Sequence, residues 1–245
     1  MASKYSHQAV YRLAMLGGIR IALTGTASTG KTTQAARFMQ SGFVGVPEYA
    51  SILIQQAKTV ATVARLKLPG GPGEKVDPRL VELFAKLHVY HPFVDNPAFQ
   101  EALTVGCLEQ ERPHVERKRG LVMFDRTCLE VPPYCDVFGV ALPPQFASLS
   151  PAPKERVDLC FFMESFGAVV DNGIRIETSD ALQDMAIKLG PRLRAAYTDA
   201  GIETINVPAI KRKSAEKSIA ARERFMWKEI TKFAERKLDS MGIDF

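Results

Sequence analysis

Gly25-Thr-Ala-Ser-Thr-Gly30-Lys31-Thr32 satisfies every fixed position of the pattern GxxxxGK[ST]. The chemistry asks for these residue types. Two glycines let the backbone curl until successive N–H groups point into one concavity, and a helix opening at the end of the loop presents its positive pole to an anion. Lys31 is therefore expected to reach the β- and γ-phosphates of a nucleotide, and the Thr32 hydroxyl to ligate Mg²⁺. The residues cradling the phosphates would be Gly25, Thr26, Ala27, Ser28, Thr29, Gly30, Lys31, Thr32 and Thr33.

Such a loop names a ligand class and leaves the reaction open, so the carboxylates beyond it matter. In a parallel sheet the ligand crevice lies outside the carboxyl ends of the strands. Three acids are expected there: Glu48 closing a second strand, Asp125 a third and Glu164 a fourth. Asp125 follows Leu121-Val-Met-Phe124 and fits the Walker B position, which holds Mg²⁺ directly or through water. Arg126 beside it would neutralise charge on a transferring phosphoryl group. The plainer alternatives are a surface ion pair for Asp125-Arg126 and a helix cap for Glu48. His7, His88, His91 and His114 show no metal or triad spacing, and Tyr90, His91 and Phe93 fit an acceptor pocket or simple core packing equally well. Cys107, Cys128, Cys135 and Cys160 have no CxxC spacing and read as reduced thiols of an intracellular, cytoplasmic protein.

The elements that must position these residues follow from periodicity. Apolar branched runs alternate with helical spacing, the signature of an α/β layer fold with a mostly parallel sheet of about five strands. Strands are expected over residues 19–24, 44–49, 121–125, 157–163 and 204–207. Helices are expected from 31 to before Gly42, over 50–66, from Asp77-Pro78, from Asn96-Pro97 toward Arg117, over 179–200, and along a C-terminal stretch where Ile219, Met226, Ile230 and Phe233 share a face. This divides the chain into an N-terminal extension (1–18), a nucleotide-binding domain (19–208, with a lid at about 165–200) and a basic C-terminal helix packed on it (209–245).

Composition agrees. Of 245 residues, 46% are hydrophobic and 24% charged, which excludes a disordered or collagen-like chain. No apolar run approaches the ~18 residues of a membrane span. The net charge is +5, and the ten Lys or Arg against four Glu between Lys211 and Lys237 place +6 in that stretch alone. With Phe225, Trp227 and Phe233 among its cations, this segment offers a second reading as a nucleic-acid or anionic-surface contact, although a helix with a solvated basic face is the simpler one. No acidic residue precedes Glu48. Residues 1–18 could form a short organelle presequence, but with Arg and Ser sparse they read as an ordinary surface extension instead.

Four segments in this order, Ile21-Ala-Leu-Thr-Gly-Thr-Ala-Ser-Thr-Gly-Lys-Thr-Thr33, Val46-Pro-Glu-Tyr-Ala50, Phe124-Asp-Arg-Thr-Cys-Leu-Glu130 and Asp171-Asn-Gly-Ile-Arg175, resemble the P-loop kinase-like ATPases over about residues 19–208. The type looks like the nicotinamide-riboside kinase domain and its AAA-like relatives, and Asp125-Arg126 resembles the Asp-Arg pair of deoxynucleoside kinases. The resemblance implies that Glu48 faces an acceptor hydroxyl, with Tyr49 and Glu130 on the substrate side, and that Arg175 opens a lid whose Arg192 and Arg194 close over the phosphates. Thr127 stands where the family's Asp-Arg-Gly-x-x-Asp pattern has Gly. The implied activity is Mg²⁺-assisted phosphoryl transfer from ATP to a small nucleoside-like or riboside-like alcohol. ATP is the default because the guanine-reading Asn-Lys-x-Asp run of GTPases is absent. The alternative is a regulatory or assembly protein that holds ATP or GTP and recruits a partner, and a weaker third reading is a polynucleotide 5′-kinase. A closed polar pocket near Glu48 and Asp125 would favour the small-molecule kinase, an open apolar cleft the switch, and a basic groove the polynucleotide enzyme.

Overall fold

A computed structural model of the protein describes residues 7–117, 119–147, 149, 152–165 and 179–243. Five strands, β1 (Ile19–Thr24), β2 (Val44–Val46), β3 (Leu121–Asp125), β4 (Leu159–Met163) and β5 (Glu203–Val207), form one wholly parallel sheet in the order β2-β3-β1-β4-β5. The α/β class and the strand count are as expected. Strand β2 stops three residues early because Pro47 has no N–H for the ladder.

Side chains alternate across the sheet with period two. Ile19, Ile21 and Leu23 of β1, Leu121 and Met123 of β3, and Leu159, Phe161 and Met163 of β4 face one layer. That layer contains α1 (Gln8–Leu16), α2 (Lys31–Gln40) and α10 (Ala215–Ser240). Ala22 and Cys160 face the opposite side, where Tyr197 of α9 (Ser179–Thr198) covers them. Also on the path between β2 and β4 are α3 (Tyr49–Val63), α4 (Pro78–Leu87), α5 (Asn96–Glu116) and α6 (Val131–Phe138), followed by the short α7 (Pro144–Ala147) and α8 (Pro153–Arg156). Periodicity did not indicate α6, α7 and α8, since none exceeds eight residues. Asp77 caps α4 by accepting from the Arg79 N–H, and Asp95, one residue before the expected cap, does the same for α5 through Ala98.

The terminal segments depart from a simple appendage. Residues 8–16, expected on the surface, form a helix whose Ala9, Val10, Leu13 and Ala14 are buried. They pack in the same cluster as Trp227 and Ile230 of α10. Trp227 in turn lies 5.2 Å from the Phe38 ring, so the aromatics of the basic helix are core rather than an exposed platform. Lys217, Arg224, Lys228 and Lys232 remain on the outer face. Among the described residues no helix is long and apolar enough to cross a membrane. The expected lid entry at 171–175, Arg175 included, lies outside the described residues.

Candidate functional site

The loop after β1 needs its two fixed glycines for backbone reasons. Gly25 has φ of 128°, and a Cβ there would lie 2.6 Å from the Met163 carbonyl oxygen. Gly30, with φ of 86°, ends the loop in the left-handed region from which α2 starts. Between them the Lys31 ammonium folds back and donates to the carbonyls of Gly25 (3.0 Å) and Thr26 (2.8 Å). Lys31 is 6% exposed, so its charge is largely withdrawn from water. Burial, aided by Arg126, brings its pKa down to about 8.

The register Leu23↔Asp125 puts Asp125 beside the root of the loop. Its Oδ2 accepts from the Thr32 hydroxyl at 2.5 Å, while Oδ1 is buried without a hydrogen-bond partner. Burial and the nearby Glu48 raise its pKa. A hydroxyl and a carboxylate with an unused oxygen at the head of α2 suit a divalent cation that takes its other ligands from phosphate and water. Thr32 and Asp125 are thus the residues that would hold Mg²⁺.

Arg126 is the pivot of the neighbouring cluster. It adopts φ of 73°, and its guanidinium is paired with Glu48 (Nε to Oε1, 2.6 Å) and with Glu130. It lies over the Tyr134 ring at 5.8 Å. With Asp125 3% exposed, the pair is not a surface salt bridge. Glu48 occupies the N-cap position of α3 yet caps no backbone N–H there; it accepts instead from Ser51 Oγ at 2.7 Å. Burial alone would push its pKa up, but the Arg126 and Lys31 cations outweigh it and hold the carboxyl below its ordinary value. Glu130 shifts the other way, raised by burial. It accepts from Tyr197 Oη at 3.2 Å, which ties α9 to the cluster. Thr127, in place of glycine, is extended and caps the following 3₁₀ turn (Cys128–Glu130) through Leu129 N–H. The left-handed residue of this turn is Arg126, so no glycine is required at 127. Beneath the turn, Glu111 accepts from Cys128 N–H (2.6 Å) and from the buried Arg156 (2.8 Å).

Loop and cluster share one half-open cleft of about 1600 Å³. Beyond the charged end its wall is largely apolar, with Ile52, Phe93, Phe99, Leu103, Tyr134 and Phe138 among the lining residues. It therefore matches neither the closed polar pocket nor a wholly apolar groove. Tyr49 also lines it, and its ring occupies the space above Gly106 of α5, where a Cβ would come within 1.9 Å.

The remaining expected residues are more scattered. Tyr90 packs in the core, and His91 is fully buried outside the lining, with its pKa lowered to about 4 by burial. Of that trio only Phe93 reaches the cleft. The Glu164 carboxylate accepts from Ala209 N–H (3.3 Å), which joins the loops after β4 and β5. Arg192 is exposed and paired with Asp136 of α6 (2.6 Å), Arg194 is exposed, and neither lines the cleft.

Two cleft residues escaped the sequence reading. Gln100 is 1% exposed with its Oε1 unpartnered, and its signal is an amide between Phe99 and Leu103 on the buried face of α5. Arg222 lies three residues after Ile219 and four before Met226, a cation at a position the apolar stripe assigns to the interior.

Compared with known proteins, the AAA domain family matches residues 20–217, from β1 to the start of α10. No curated protein matches the chain.

Proposed function

This chain belongs to the AAA domain family, and from that premise we propose that it transfers the γ-phosphoryl group of ATP to the hydroxyl of a small uncharged acceptor, nucleoside-like or riboside-like. The observation that carries this reading is the continuity of the cleft. At about 1600 Å³ it exceeds the ~300–1,000 Å³ of a single small-molecule site, which leaves room for a second molecule beside the nucleotide. Its cationic side chains among the described lining residues, Lys31, Arg126 and Arg222, all gather near the loop, and the aromatic wall beyond offers nothing to a second polyanion. That distribution also gives the polynucleotide reading no support.

In this proposal the loop amides and Lys31 hold the β- and γ-phosphates. Mg²⁺ on Thr32 and Asp125 would screen the charge that develops between donor and acceptor. Glu48, kept ionised by Arg126 and Lys31, accepts a hydrogen bond from the acceptor hydroxyl and orients it in line with the γ-phosphorus. Arg126 neutralises the transferring group, while Tyr49 and Glu130 bound the acceptor and Gln100 Oε1 accepts from an N–H or O–H on it. Positioning rather than covalent catalysis suits phosphoryl transfer, whose transition state is loose.

The test is a panel of nucleosides, ribosides and short oligonucleotides incubated with γ-labelled ATP and Mg²⁺, with label followed into product. A neutral alcohol should gain phosphate, and Glu48→Gln should slow that transfer by about 10² or more while ATP affinity holds. Release of inorganic phosphate with no acceptor labelled would sink the kinase reading. It would favour the nucleotide-switch alternative, for which the half-open apolar wall would be a partner's seat.

A further inference from the structure

Arg222 is one of the largest fully buried side chains, and it lies past residue 217, where the family match ends. Its three nitrogens donate to three main-chain carbonyls from three different loops. Nη1 reaches Thr29 O in the phosphate loop at 2.6 Å, Nε reaches Pro208 O after β5 at 2.9 Å, and Nη2 reaches Glu164 O after β4. Around it α10 is fastened to α2 twice more, by Gln34 Nε2 donating to Ile219 O (2.9 Å) and by the Arg37–Glu223 ion pair (2.9 Å).

A trans peptide unit holds its C=O and N–H on opposite sides. A guanidinium that fixes the Thr29 carbonyl outward, toward α10, therefore turns the Gly30 N–H inward, toward the concavity where phosphate binds. Nη1 also lies only 3.9 Å from the point where a Gly30 Cβ would be, which puts a full positive charge directly behind the loop. An anion entering the concavity becomes a counter-charge for it across a single peptide unit, in a setting shielded from water. A neutral side chain of similar length would fill the volume and supply neither effect.

We propose that Arg222 is a positioning residue of the nucleotide site, through which the C-terminal helix orients the Thr29–Gly30 peptide and strengthens the hold on the β-phosphate. The inference rests on the loop being a nucleotide site, which is a narrower premise than phosphoryl transfer.

The experiment compares Mg²⁺·ADP affinity, by calorimetry, in the full chain, in Arg222→Met, in Arg222→Lys and in Ile230→Ala. The last loosens α10 from the core and touches no part of the cleft. A charge-assisted hydrogen bond predicts that Arg222→Met binds ADP about tenfold or more weakly. Ile230→Ala should lower the thermal midpoint of the free protein but keep the parental affinity. Arg222→Lys retains the charge and reaches fewer carbonyls, so its affinity should fall between those of the parent and Arg222→Met. Parental ADP affinity in Arg222→Met would overturn the assignment, as would an equal loss in Ile230→Ala, which would mean only that α10 had loosened. If Arg222→Met does not fold, Arg222→Lys decides: a several-fold loss absent from Ile230→Ala supports the role, and parental affinity removes it. A parent chain that binds no ADP would overturn both this inference and the nucleotide site, whereas one that binds ADP yet phosphorylates no acceptor would leave this inference standing.

Discussion

Lys31 carries its charge into a space from which water is largely excluded, where two loop carbonyls, the Thr29 hydroxyl and a sheltered cluster of acids compensate it. Its pKa of about 8 against an ordinary 10.5 has two consequences of opposite direction. Between those values the unfolded chain keeps the proton that the folded chain has lost, so this group's contribution to stability rises with pH. Phosphate binding, however, requires the ammonium. Above about pH 8 each binding event must take up a proton, and ADP affinity should fall by up to about tenfold per pH unit. Calorimetry from about pH 7 to pH 9 in buffers of different ionisation enthalpy would report both the affinity and the proton uptake. A flat affinity across that range would mean that Lys31 does not hold the phosphates.

At the level of elements, the proposed acceptor side is shaped by how closely α3 approaches α5. Gly106 permits this approach, for its missing Cβ is where the Tyr49 ring lies. Gly106→Ala would gain helix propensity by about 1 kcal/mol, yet the Cβ would overlap the ring and force Tyr49 aside. Overpacking of this kind costs about 1–3 kcal/mol, so the net change should be destabilising. The acceptor KM should rise while ADP affinity stays constant, because the loop lies on other elements. Tyr49→Ala removes the obstructing ring at its own cost in packing, so the Gly106→Ala, Tyr49→Ala double variant should be no less stable than Tyr49→Ala alone, with acceptor binding impaired in both. Thermal unfolding and steady-state kinetics of the three variants would check this, and a single variant as stable as the parent would contradict the packing.

For the whole molecule, the two ends of the chain complete the core together. α1 contributes Val10 and Leu13, fully buried, to the cluster that holds Trp227 and Met226. The carbonyl of Ala14 also accepts from Gly120 N–H at the entry to β3. At roughly 1.5–3 kcal/mol per large apolar side chain, deleting residues 1–16 removes several kcal/mol from a domain whose whole stability is of order 5–15 kcal/mol. The truncated chain should unfold at a much lower temperature and expose Trp227, with a red-shifted fluorescence. A truncation that melts with the parent and keeps its emission would show that the helix is dispensable.

Much of this molecule was legible in the sequence because the signals are local. The turn from β1 through Gly25 and Gly30 into α2 is written in residues adjacent along the chain, since a left-handed φ and a run of inward N–H groups depend on a handful of neighbours. The buried strands and the long helices show in their periodicity for the same reason. α6, α7 and α8 did not show, being too short for a period to develop, and residues 8–16 look like an appendage until α10, more than two hundred positions away, provides the surface they cover. The cluster around Arg126 is likewise divided. Its members were individually visible, but the lowered pKa of Glu48 follows from the Arg126 and Lys31 cations beside it, and the raised pKa of Glu130 from its burial, both of which packing decides. Arg222 and Gln100 are the plainest instances of what tertiary structure alone decided. A charged or amide side chain gains a role at an interior position only from the groups that surround it, and those groups are brought there by packing rather than by sequence neighbourhood.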